Sequence, residues 1–155
     1  MNAEIIIAVL RALAREGVRY KVVGAVALNL VGLARATQDL DIFVAADEEN
    51  VGRLRAALGS VFDDPEIDGI SASDLAGDYP AVQYVPPSGA FHIDILSRLG
   101  EAFRFEDIEV EDRFLEGIRV PVATPHMLFR MKKDTVRPQD RADAERLRRH
   151  FNFEG

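Results

Sequence analysis

The run Asp39-Leu40-Asp41-Ile42-Phe43-Val44 constrains the fold more than any other stretch of this 155-residue chain. Its apolar, β-branched and aromatic residues read as a strand, and strand side chains alternate between two faces. Asp39 and Asp41 therefore share one face, while Leu40 points into the opposite layer. Two carboxylates this close repel each other when ionised, and a shared divalent cation relieves the repulsion. Paired aspartates also occur as solvated turn residues, so this run leaves both readings open.

Around this strand, helical and extended patterns alternate, which predicts one α/β domain over residues 1–155. Ile5, Ile6, Val9, Leu10 and Leu13 have helical spacing over 4–15, with a stop at Gly17. Arg19–Val23 reads as a strand, Ala25–Leu30 as a short apolar helix and Gly32–Thr37 as a loop. Glu48–Leu58 reads as an amphipathic helix, followed by an irregular stretch from Asp63 to Asp78. Strands are expected at Ala81–Val85 and Phe91–Leu96, flanking the turn cluster Pro86-Pro87-Ser88-Gly89. Two more are expected at Glu106–Val110 and Ile118–Val122. Thr124-Pro125 opens a helix to about Asp134, as an N-cap followed by proline in the first turn. Pro138 opens the last helix. There is no internal repeat and no low-complexity linker.

Composition narrows the chemistry. The chain has no cysteine, which rules out disulfides and thiolate metal sites. Val22–Ala34, the longest apolar stretch, contains Asn29 and two glycines and is too short to span a bilayer. The N-terminus lacks the basic start of a secretory signal, so a soluble cytoplasmic protein is expected. A formal net charge of −7 argues against a general DNA coater. Between residues 128 and 150, however, eight basic residues stand against four acids. That segment is either a solvated helix face or a local surface for an anionic substrate.

Two further features carry chemistry. Gly24-Ala25 lies between a strand and an apolar helix. It is either a simple tight turn or a place where backbone N–H groups meet an anion such as a nucleotide phosphate. In Phe91-His92-Ile93-Asp94-Ile95-Leu96, His92 and Asp94 share a face. An aspartate inside so apolar a strand needs a partner. It is either a salt-bridged core residue or a third metal ligand that doubles as general base. His92 reads as a packed or hydrogen-bonded residue, His126 and His150 as ordinary helix residues. Asp140 and Asp143 read as acids favouring the dipole of the last helix.

Taken together, a glycine turn, a helix, the two-aspartate strand and a later one-aspartate strand resemble the DNA polymerase β-type nucleotidyltransferase superfamily. The resemblance runs from Val23 through Arg35, Thr37, Asp39 and Asp41 to Val44, and resumes at Lys132-Lys133-Asp134-Thr135-Val136-Arg137-Pro138-Gln139-Asp140. More narrowly, the pattern is similar to the small prokaryotic branch of abortive-infection and toxin–antitoxin nucleotidyltransferases. That resemblance implies a mixed β-sheet with helices packed on it. It implies transfer of a nucleoside monophosphate from a nucleoside triphosphate, ATP among the candidates, to a hydroxyl of an RNA such as tRNA, a partner protein or a small molecule. Asp39, Asp41 and Asp94 would bind Mg2+, with Mn2+ as the alternative, and Asp94 would act as base. Gly24, Ala25, Arg35, Thr37 and Lys132 would serve the nucleotide. Thr37 by itself reads as a turn residue, and Arg35 as a partner for a nearby aspartate.

This sequence departs from the family pattern at Ala25, Val26 and Val31, where relatives often carry a second glycine, a hydroxyl residue and a histidine. Ala25 and Val26 are the features that favour the rival expectation, a catalytically silent binding or regulatory module on the same fold. Haloacid dehalogenase-like phosphatases also use Asp-x-Asp, but at the C-terminal end of a strand. Asp-x-Asp glycosyltransferases need a larger nucleotide-sugar domain. The oligomeric state is left open by the sequence.

Overall fold

The computed structural model describes residues 3–36, 39–89 and 91–153. Elements follow one another as α1 (Ala3–Arg15), β1 (Tyr20–Val23), α2 (Gly24–Leu30), β2 (Asp39–Val44) and α3 (Glu48–Val61). A 3-10 turn (Pro65–Gly69) and the short α4 (Ala72–Ala76) come next, then β3 (Ala81–Tyr84), β4 (His92–Leu96), β5 (Arg98–Leu99) and β6 (Phe103–Arg104). A second 3-10 turn (Phe105–Asp107), β7 (Val110–Leu115), β8 (Ile118–Ala123), α5 (Pro125–Lys132) and α6 (Pro138–Phe151) complete the order. Six strands form one mixed sheet in the order β3-β4-β2-β1-β8-β7, and β5 and β6 form a separate ribbon. This is the expected mixed α/β architecture.

Side-chain alternation divides the sheet. Leu40, Ile42, Val22, Ile93, Ile95, Val120 and Val122 are fully buried on one face. They join a single core with Val9, Leu10 and Leu13 of α1 and Val51, Leu54 and Leu58 of α3. Apolar residues three and four apart on each helix give it the stripe that meets this face. The other face carries Asp39, Asp41 and Phe43 of β2, their β4 partners His92, Asp94 and Leu96, and Lys21 and Val23 of β1. There α5 and α6, packed on each other, stand over the carboxylate end. Thr124 starts α5 as expected, its hydroxyl accepting from the Met127 N–H at 3.1 Å.

The strand expected at Glu106–Val110 is not formed. Phe105–Asp107 makes a 3-10 turn instead, because Asp107 accepts from the Arg104 N–H at 3.0 Å, and the strand begins at Val110. The Asp63–Asp78 stretch contains short helical segments started by Asp64 and Ser71, each accepting a backbone N–H.

Asn50, only 1% exposed, ties the far end of the sheet to α3. Its side chain accepts from the Arg19 N–H at 2.7 Å and donates to the Arg19 and Ala45 carbonyls at 3.0 and 2.8 Å. It thus fixes where β1 begins and β2 ends. Asn50→Ala strands three backbone groups, and an unfolding titration should show a loss of about 2–4 kcal/mol. A loss below about 0.5 kcal/mol would show that water replaces the side chain.

Candidate active site

The parallel pairing of β2 with β4 sets Asp39 opposite His92 and Asp41 opposite Asp94. Adjacent strands lie about 4.8 Å apart, so these side chains are forced together on one face. His92 Nε2 lies 2.6 Å from Asp39 Oδ1 and 3.8 Å from Asp94 Oδ2. Asp41 is within hydrogen-bonding reach of Asp94, whose Oδ1 also accepts from Gln83 Nε2 at 3.3 Å. Burial, the hydrogen bond and charge of Asp94, and the charge of Asp39 together push the Asp41 carboxyl up to about 8, against a smaller opposing pull from Lys132.

Gly24 makes this packing possible. It adopts φ +70°, and a Cβ built there would lie 2.0 Å from Asp41 Oδ2. The sequence left this glycine as a simple tight turn or a phosphate approach; in the structure its missing side chain makes room for the Asp41 carboxylate.

A cavity of about 560 Å³ opens beside these groups. Asp41, Asp94 and Gln83 stand on one side, Lys132, Arg137 and Asp140 on another, and Phe43, Leu96, Leu99, Leu128 and Met131 supply apolar wall. Lys132, whose side chain is 14% exposed, donates to Asp140 Oδ1 at 3.1 Å and Asp143 Oδ2 at 3.2 Å. Asp143 is fully buried at its side chain and also receives Gln139 at 3.0 Å and Arg35, whose Nε lies 3.3 Å from Asp143 Oδ1.

The structure therefore brings Asp39, Asp41, Asp94, Gly24 and Lys132 to one place. Arg35 is held by Asp143 and lines a separate hollow with Val26, Asn29 and Leu30. Ala25 is not among the cavity residues, and Thr37 lies outside the described residues. Two contributors were missed from sequence. Asp143 looked like a helix-dipole acid but is a buried anchor for two cations; its position three residues after Asp140 was the available signal. His92 was set aside, although its place two residues before Asp94 put it on the same face.

The donor set fits a divalent cation. Asp39, His92 and Asp94 offer ligand atoms within 4.8 Å of one another, and Asp41 presses on Asp94 from directly opposite. Carboxylate oxygens suit both Mg2+ and Mn2+.

A mixed sheet with this strand order and helices packed on it, bearing paired aspartates on one strand and a third on its parallel neighbour, is a nucleotidyltransferase-type fold. A family profile described as "Nucleotidyl transferase AbiEii toxin, Type IV TA system" matches residues 9–151, and the chain belongs to that family of nucleotidyltransferases. No curated protein matches it by sequence. Among solved structures, ANT(2")-Ia in complex with adenylyl-2"-tobramycin is similar at TM-score 0.56 and 13% identity, covering 98% of this chain and 91% of that one. Lincosamide antibiotic adenylyltransferase LnuA, lincomycin-bound, gives TM-score 0.55 and 12% identity, covering 96% and 97%. An antigenic nucleotidyltransferase-like protein from Paracoccidioides brasiliensis gives 0.53 and 15%, covering 92% and 74%. At these identities the structural likeness establishes the fold.

Two outcomes test the carboxylate geometry. Because the folded Asp41 holds its proton up to about pH 8 while an unfolded aspartate loses it near 4, metal-free stability should fall as pH rises between those limits. A bound cation must displace that proton, so thermal shift should record a larger Mg2+-induced rise in Tm near pH 8.5 than near pH 6. An equal or reversed ordering would refute it. Gly24→Ala should abolish the Mg2+-dependent rise, since Asp41 must move to admit the methyl.

Proposed function

We propose that residues 1–155 act as one domain that moves a nucleoside monophosphate from a nucleoside triphosphate to an acceptor hydroxyl, with Mg2+ or Mn2+ at Asp39, Asp41 and Asp94. The observation that carries this reading is the pair Asp41 and Asp94. They face each other at the mouth of a cavity that also contains a tethered lysine. Such an arrangement is costly for a protein with no cation or phosphate to place there.

The reaction is an in-line displacement at the α-phosphorus. The acceptor oxygen forms a bond to phosphorus, the bond to the bridging oxygen breaks, and pyrophosphate leaves. Asp94 takes the proton from the attacking hydroxyl. Gln83, donating to Asp94 Oδ1, orients that carboxylate. Lys132 neutralises charge on the triphosphate, and Asp140 and Asp143 hold its ammonium so that little reorganisation is needed. Gly24, at the opening of α2, lines the triphosphate side of the cavity, and Arg35 steadies Asp143 from behind. When bound, the divalent cation polarises the phosphoryl group and stabilises the developing charge on the leaving oxygen. His92 keeps Asp39 in position.

Family membership supports a role as the toxin half of a toxin–antitoxin pair. The acceptor is an RNA, a protein hydroxyl or a small molecule. ANT(2")-Ia and LnuA, seen with adenylyl-tobramycin and lincomycin, support small molecules as one possibility for the fold. Among the described residues no helix is long and apolar enough to cross a membrane, and dependence on a nucleoside triphosphate favours work in the cytoplasm.

Incubation with divalent metal, each α-labelled nucleoside triphosphate, total tRNA and cell lysate tests the reading. Wild type should transfer label, and Asp39→Ala/Asp41→Ala should reduce transfer by at least about 10³-fold. If wild type neither transfers label nor binds nucleotide in a metal-dependent way, the enzyme reading is wrong.

A further inference from the structure

Most cations of the basic C-terminal segment are already engaged. Lys132 is held by Asp140 and Asp143, Arg148 and Arg149 by Glu145, and Arg130 and Arg137 lie 3.9 Å from Glu109 and Asp140. Two cations without a carboxylate partner also stand together on the β5–β6 ribbon. Arg98 and Arg104 are direct cross-strand partners there. Like charges in that relation are destabilising, and among the described residues neither guanidinium has a carboxylate within ion-pairing distance.

Both arginines line a hollow of about 880 Å³ together with Arg19, Lys21 and Phe105. Its acids are largely committed. Asp47 pairs with Arg19, and Glu106 acts on Lys21, whose Nζ donates to the Phe105 carbonyl at 2.6 Å and lies 4.3 Å above the Phe105 ring. Lys21 thereby fastens the 3-10 turn that follows β6, fixing the ribbon against the sheet.

This hollow adjoins the active-site cavity. Lys21 is the register partner of Phe43 on the carboxylate face, and Phe43 lines that cavity. The ribbon separates the two spaces, with Leu99 in one and Arg98 in the other. Arg98 follows Asp94 by four residues, a span of at most about 13 Å. A polymer whose hydroxyl sits at Asp94 can therefore cross the apolar wall of Leu96 and Leu99 and bring a backbone phosphate to the arginines. On a protein of net charge −7, two adjacent guanidiniums without a carboxylate partner form a local attraction for a polyanion. Guanidinium geometry suits phosphate, while the Leu96 and Leu99 wall offers apolar contact to the faces of bases and sugars.

We propose that Arg98 and Arg104 form a docking site for the phosphodiester backbone of a single-stranded RNA acceptor. This rests on the transferase reading above and selects RNA from its acceptor classes.

The test is fluorescence anisotropy of a short labelled single-stranded RNA on the full chain, with Mg2+ and without nucleotide, across a salt series. Each lost single-strand phosphate contact lowers the log–log salt slope by about 0.7, so Arg98→Ala/Arg104→Ala should lower it by about 1.4 and weaken binding about 25-fold at 0.1 M salt. Arg98→Lys/Arg104→Lys should retain most of the affinity, and binding of free nucleoside triphosphate should not change in either variant. The Asp39→Ala/Asp41→Ala protein should still bind RNA, so docking is read independently of transfer. The proposal is overturned by a wild type that binds no RNA, or by an unchanged affinity and slope in an alanine variant of unaltered Tm. It is overturned equally if the alanine variant loses triphosphate binding in parallel, since the hollow would then serve the nucleotide.

Discussion

Everything distinctive about this protein depends on the enforced proximity of Asp41 and Asp94. Two strands in parallel register hold the carboxylates opposite each other, and burial of Asp41 strips away much of the water that would screen its charge. Left alone, the pair must retain a proton. The fold maintains this electrostatic conflict with a fully buried apolar layer on the reverse of the same strands, where Leu40, Ile42, Ile93 and Ile95 are 0% exposed. One face of β2 and β4 stabilises the sheet, and the other holds a site whose charges oppose it.

The second support comes from the C-terminal helices. Asp143 is buried, receives Lys132, Arg35 and Gln139, and so couples α5, α6 and the loop before β2. A buried carboxylate with three donors is satisfied, whereas removal of one partner would leave an uncompensated charge. This network sets the position of the one ammonium whose field acts on Asp41. The lysine is held by Asp140, which also lines the cavity, and by the buried Asp143.

Much of this was legible in the sequence, for reasons tied to particular residues. The β2 strand could be read because Asp-Leu-Asp-Ile-Phe-Val alternates and then turns apolar, and the α5 start because Thr124-Pro125 is a cap followed by a helix-compatible proline. The 105–110 segment was misread as a strand because Glu106 to Val110 carries strand-like alternation, while the deciding contact is local, from the Arg104 N–H to Asp107. The resemblance gave Arg35 to the nucleotide and the local pattern gave it to a nearby aspartate; the partner it has, Asp143, lies 108 residues away and could not be read locally. Asp143 was read as an acid favouring the dipole of α6, because its partners Lys132 and Arg35 lie outside that helix.

The sequence by itself determined the periodicities: which residues form strands and helices, and that Asp39, Asp41 and Asp94 each point away from the apolar face of their strand. Those are properties of a few neighbouring residues, and backbone geometry converts them into direction. Tertiary structure decided which strands become neighbours and in what register. It thereby set Asp41 against Asp94, pressed Gly24 on Asp41, and gave Lys132 and Arg35 to Asp143. Such pairings join residues distant in the chain, and they follow from packing a whole sheet between its helices, which no local pattern encodes.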